Sequence, residues 1–92
     1  MELTTTITIA DTVFAQEVDN EMVILDTASE EYFGLDEMGA IIWQHLSVTG
    51  ALQKTYEAMR EVYAVDDARL EADICRFVQE LVDTGLVELK SL

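Results

Sequence analysis

Proline is absent from this 92-residue chain, and cysteine, histidine and tryptophan occur once each. Basic residues are the next shortage: five Lys and Arg stand against nineteen Asp and Glu, and none precedes Lys54. Each scarcity excludes something. Nucleic-acid binding rests on Lys and Arg neutralising phosphates, so a net charge of −14 argues against it, and an anionic membrane surface is disfavoured for the same reason. Tetrahedral zinc needs three or four Cys or His ligands, and only Cys75 and His45 are available. The carboxylates lack the alternating D-x-D-x-D-G order that wraps calcium. Phosphate loops need clustered glycines, whereas Gly34, Gly39, Gly50 and Gly85 are scattered, so no nucleotide, metal or other cofactor is implied.

Catalytic groups are equally sparse. His45 falls near the end of an expected helix, where a core margin or the C-terminal helix dipole accounts for it. Cys75, between Ile74 and Arg76, reads as a small helix-packing residue rather than a nucleophile, and a lone cysteine permits no internal disulfide. The expectation is a non-enzyme in a reducing, cytoplasmic compartment. No apolar run is long enough to span a bilayer, and MELTTTITIADT lacks the basic start and apolar core of a signal peptide.

What is present is a folded composition: half the residues are hydrophobic. A chain of this length buries roughly 60–65% of its unfolded surface around one core, so a single domain over residues 1–92 is expected. Thr5 to Ile9 alternates Thr with Ile, as a strand or ordered arm would. Thr12 to Val18 and Met22 to Asp26 form a hairpin, because Asp19-Asn20 tolerates the positive φ angles of a tight turn. After the polar turn Thr27 to Glu30, Glu31-Tyr32-Phe33-Gly34-Leu35 is a short strand that runs straight into a helix capped by Asp36. That helix reaches about Ser47, with Met38, Ile41, Ile42, Trp43 and Leu46 apolar. A second carries Leu52, Tyr56, Met59 and Tyr63 on one stripe; a third, capped by Asp67 and stopped at Gly85, turns Leu70, Ile74, Phe77, Val78, Leu81 and Val82 inward. Leu86 to Lys90 is too short to place. Strands first and helices after predict an α+β fold: a small antiparallel three-stranded sheet, one face covered by three helices, in a winged helix-turn-helix-like order.

The last strand leaves a row of backbone N–H and C=O groups without an in-chain neighbour, which another peptide can pair with. A peptide-binding module is therefore the leading reading. A winged-helix regulator and a generic adaptor are the alternatives, and the anionic N-terminal half points to a basic partner or to a merely solubilising face. An acyl carrier is disfavoured because Ser29, Ser47 and Ser91 lack an Asp-Ser-Leu context.

The ordered segments V-I-L-D (Val23 to Asp26), Y-F-G-L-D-E-M-G-A-I-I-W (Tyr32 to Trp43), Y-A-V-D (Tyr63 to Asp66) and F-V-Q-E-L-V-D-T-G-L-V (Phe77 to Val87) resemble the PqqD-like family of peptide recognition elements. The aromatic-x-Leu-Asp pattern is closest to the stand-alone leader-binding proteins of split lasso-peptide systems. The resemblance implies a non-catalytic domain that binds the leader of a ribosomally made precursor peptide, which adds as an antiparallel strand to the last strand of the meander beside the third helix. Carried onto this chain, it implies a docking strand of Glu31, Tyr32, Phe33, Gly34 and Leu35 and a groove margin of Asp73, Arg76, Phe77 and Glu80. The implied partners are the leader region, a transglutaminase-like leader peptidase and an asparagine-synthetase-like lasso cyclase, with no nucleic acid and no membrane.

Overall fold

The computed structural model describes residues 1–90. Eight elements follow in order: β1 (Ile7–Ile9), β2 (Val13–Val18), β3 (Glu21–Asp26), β4 (Glu31–Leu35), α1 (Glu37–Thr49), α2 (Leu52–Val62), α3 (Asp67–Asp83) and β5 (Val87–Leu89). The fold is mixed α+β, with an antiparallel three-stranded sheet in the order β2-β3-β4 and a separate two-stranded sheet of β1 with β5. Leu86 to Lys90 thus contains a strand, and Thr5 to Ile9 finds its partner there rather than in the meander: Ile7 lies opposite Leu89 and Ile9 opposite Val87. Gly50 fixes the other side of β1. Its carbonyl accepts from Ile7 N–H at 2.8 Å, and at φ 66° a Cβ there would stand 2.7 Å from Ile7 O, so only glycine fits.

Local chemistry places most boundaries. Asp19 and Asn20 take φ values of 51° and 68°, the left-handed pair that a two-residue hairpin needs. Asp36 caps α1, its Oδ1 accepting from Gly39 N–H at 2.7 Å. The helix runs on to Thr49, past the expected Ser47, because the Ser47 and Thr49 hydroxyls donate to the Trp43 and His45 carbonyls and so stay compatible with helical backbone. At α3 the cap position falls on Asp66, whose side chain makes no capping bond. Asp67, expected to cap, is instead the first helical residue, and it pairs with Arg60 of α2 at 3.3 Å. Gly85, at φ 81°, ends α3 as expected.

The core is mainly helical. Ile42, Trp43 and Leu46 of α1, Leu52 and Met59 of α2, and Leu70, Ile74, Val78 and Leu81 of α3 meet Ile7 and Val87 from the two-stranded sheet and Leu86 just before β5. From the larger sheet only Val13 and Ile24 are fully buried. The helices therefore do not cover its whole face, as the sequence suggested. Ala15 and Glu17 on the inner side of β2 are exposed, because a methyl and a carboxylate give a helix nothing to pack against, and only the turn end of the β2–β3 hairpin stands clear of the core.

Candidate functional site

β4 pairs with β3 on one side only: Ile24 lies opposite Phe33, and Val23 opposite Gly34. The hydrogen-bond phase shows which of its groups are free. Thr27 N–H donates to Thr12 O at 2.8 Å across β2 and β3, so the adjacent pair Val13–Asp26 is a non-hydrogen-bonded one and Asp26 turns its groups toward β4. Its carbonyl accepts from Glu30 N–H there, at 2.8 Å. Alternation along β3 makes Ile24 face β4 as well, bonded to Phe33, and leaves the N–H and C=O groups of Tyr32 and Gly34 directed at the open edge. Among the described residues no other backbone group takes them up.

The turn that presents this edge is tied down. The Asp26 carboxylate accepts from Thr12 Oγ1 at 2.9 Å and from Ala28 N–H at 3.0 Å. These bonds, the Ala28 N–H first, hold its pKa below the usual carboxylate range.

A groove separates β4 from α3. Its first cavity, about 270 Å³, is floored by Phe33, Leu35, Phe77, Leu81 and Leu86 and rimmed by Glu80 and Asp36. A second cavity, about 550 Å³, shares Asp36, Phe77 and Glu80 with it and lies between α1 and α3, where Met38, Gly39 and Ile42 face Asp73, Arg76 and Phe77. Asp73, Phe77, Glu80 and Thr84 recur every three or four residues and so share one face of α3. Phe77 is half-buried and packs against the core while also lining the groove. Its ring lies over Gly39, where an added Cβ would sit 3.1 Å from Phe77 Cε1 and 3.1 Å from Asp36 Oδ1. Glycine at position 39 thus lets the α3 wall close on α1 beside the cap.

The structure brings Phe33, Gly34, Leu35, Asp73, Arg76, Phe77 and Glu80 together around this groove. Glu31 and Tyr32 line neither cavity. Tyr32 projects from the outer face of the sheet at 72% exposure, in one transverse row with Leu25 and the exposed Phe14. Arg76 is not a free cation, since its Nη2 lies 3.3 Å from Asp73 Oδ1. Sequence reasoning missed the contribution of α1, namely Asp36, Met38, Gly39 and Ile42, because its apolar positions read as core. A glycine at the fourth position after the cap's strand, where a helix prefers alanine, was the available signal. Cys75 is half-buried, and burial, with the Glu71 charge adding to it, pushes its thiol up, away from the reactive thiolate. Among the described residues no group of His, Cys, Asp and Glu could hold a metal ion, and no helix is long and apolar enough to cross a membrane.

A small α+β domain whose open sheet edge borders a helix-walled groove is the class that this geometry defines. Residues 21–87 match the family model described as coenzyme PQQ synthesis protein D (PqqD), and the chain belongs to that family. Two solved structures are similar. One, described as TbiB1 in complex with the TbiA(beta) leader peptide, is 30% identical, with 92% of this chain and 99% of that one covered at a TM-score of 0.84. The other, a lasso peptide synthetase B1 complexed with the leader peptide, is 24% identical, covers 90% of this chain and 98% of that one at a TM-score of 0.75, and supports the fold. No curated protein matches the sequence.

Proposed function

We propose that this protein binds the leader segment of a ribosomally made precursor peptide by strand addition to β4, as a non-catalytic recognition element of lasso-peptide biosynthesis. The observation that carries the reading is the free edge at Tyr32 and Gly34 lying beside an apolar groove: backbone groups pair with any extended guest, and the cavities receive its alternate side chains. Support comes from the TbiB1 structure, which is similar over nearly all of both chains and is itself a leader complex. Glu31, Tyr32, Phe33, Gly34 and Leu35 form the docking strand, and Asp73, Arg76, Phe77 and Glu80 the opposite wall.

Delivery of the bound precursor to a leader peptidase and a cyclase is the finer part of this proposal. A second surface is available for such a partner, because Phe14, Leu25 and Tyr32 form an apolar row on the sheet face turned away from the helices. The test is a fluorescence-anisotropy titration with the labelled leader of a precursor peptide encoded beside the gene. Saturable binding that Gly34→Pro removes is the expected result; no saturation up to ~100 µM overturns the reading.

A further inference from the structure

Gly34 is a glycine that the unbound fold does not explain. Its φ is outside the left-handed region, and an added Cβ would have no atom within 4 Å. Glycine in the interior of a strand weakens it, because it brings no side chain to pack and loses the most freedom on folding. The register shows what the missing side chain leaves. Gly34 lies opposite Val23 and Tyr32 opposite Leu25, and both pairs are on the sheet face turned away from the helices, since Ile24 and its partner Phe33 between them face the core. Val23 is half-buried and Tyr32 is 72% exposed. The outer face therefore has a notch at Gly34, flanked by Tyr32 along the strand and by Val23 across it, and open toward the free edge.

Resting on the strand-addition reading, we propose that this notch takes a Phe, Tyr or Trp of the guest peptide, at the guest residue paired directly with Gly34, which makes Gly34 a specificity-determining residue of the edge. The hydrogen-bond phase fixes the pairing. The N–H and C=O of Gly34 are directed at the open edge, so in a guest that continues the antiparallel order of this sheet the residue opposite exchanges both backbone bonds with it. Directly paired residues turn their side chains to one face, which here is the outer one. Strand spacing fixes the size. The guest backbone lies ~4.8 Å beyond β4 and ~9.6 Å from β3, a span that a side chain at position 34 would ordinarily fill. With glycine there, a long flat side chain laid across the bare backbone reaches Val23 and runs beside the Tyr32 ring, and an aromatic residue opposite an edge glycine offsets the missing side chain in this way. Leu or Ile stops short of Val23, and a Lys or Glu stem long enough to reach it brings a charge along.

The probe is a phage-displayed library of random dodecapeptides, panned against the full chain and against its Gly34→Val variant, with enrichment read by position. Valine keeps the N–H, suits a strand and meets nothing at its Cβ, so the variant should fold and melt about 4 °C higher than the parent. The parent should enrich Phe, Tyr or Trp about threefold over Ala at one position, next to the apolar residues that face the groove. Gly34→Val should lose that aromatic position and keep its apolar flanks. In the complex of the parent with an enriched peptide, the Gly34 Hα and Val23 methyl protons should move upfield in the NMR spectrum, as protons beneath an aromatic ring do. A glycine that served backbone pairing alone would produce neither result. If no aromatic position disappears in Gly34→Val, if those protons do not move upfield, or if the variant melts lower than the parent, the Gly34 assignment falls and strand addition stands. Absence of any peptide enriched on the parent, shown folded by circular dichroism, overturns both.

Discussion

Single side chains decide how the groove is shaped. Gly39 is the tightest point, since a Cβ there would meet both the Phe77 ring and the capping oxygen of Asp36 at 3.1 Å. Gly39→Ala should displace the ring and lengthen the cap, lowering stability by about 1 kcal/mol despite the better helix propensity of alanine; urea denaturation of the two proteins checks this. Asp26 acts on the opposite side of the site. Its folded pKa is depressed, so its contribution is present above the ordinary carboxylate pKa and is lost as pH falls through the lower folded value. Acid titration followed by NMR should show the Ala28 amide shifting with that midpoint, and Asp26→Asn should abolish the transition. Glu30 completes the turn at φ 61°, a conformation in which a Cβ is crowded by backbone. Glu30→Gly should raise stability by ~0.5–1 kcal/mol; a loss of stability would mean that glycine's extra freedom in the unfolded chain outweighs the relief.

At the scale of the element, β4 matters because it is used on one side only. Gly34 has ordinary backbone and no atom within 4 Å of an added Cβ, so its glycine is not required by the unbound fold. The N–H of Gly34 points to the open edge, and that of Phe33 to β3. Gly34→Pro should therefore weaken leader binding at least tenfold while keeping the β3–β4 ladder, with circular dichroism unchanged and affinity read by anisotropy. Phe33→Pro would break the ladder itself. The difference between the two variants separates a lost guest contact from a lost strand. Element identity was legible from local signals: Asp19-Asn20 for the hairpin, Asp36 for the start of α1, Gly85 for the end of α3. The error at Asp67 has a physical cause, because two adjacent aspartates offer the same capping chemistry and only the folded backbone, extended at Asp66 with ψ 132°, shows which one lies inside the helix.

Across the whole molecule, the pairing of β1 with β5 closes the structure. Ile7 is 4% exposed and packs in the core, Lys90 N–H donates to Thr6 O at 2.9 Å, and Thr6 bridges to Ala51. Deleting residues 1–10 should cost about 3 kcal/mol, from the buried isoleucine and the orphaned β5 strand, and should lower the melting temperature by roughly 12–24 °C in differential scanning calorimetry. A merely appended arm would leave it unchanged. The slab-like extents of 36 × 36 × 19 Å agree with two layers, helices on one side and the projecting sheet on the other. The winged helix-turn-helix likeness rests on element order alone.

By itself the sequence determined the character of each segment and the sign of the surface, because periodicity, capping and charge are local properties. It marked the strand Glu31 to Leu35 as an edge and, through its ordered motifs, the PqqD family. Only the tertiary structure decided that β1 pairs with β5, that Phe77 closes over Gly39, that Tyr32 and Gly34 carry the free backbone groups, and that Glu80 lines both cavities. Those facts depend on contacts between distant segments and on the phase of a hydrogen-bond ladder, and neither leaves a trace in the spacing of residues along one chain.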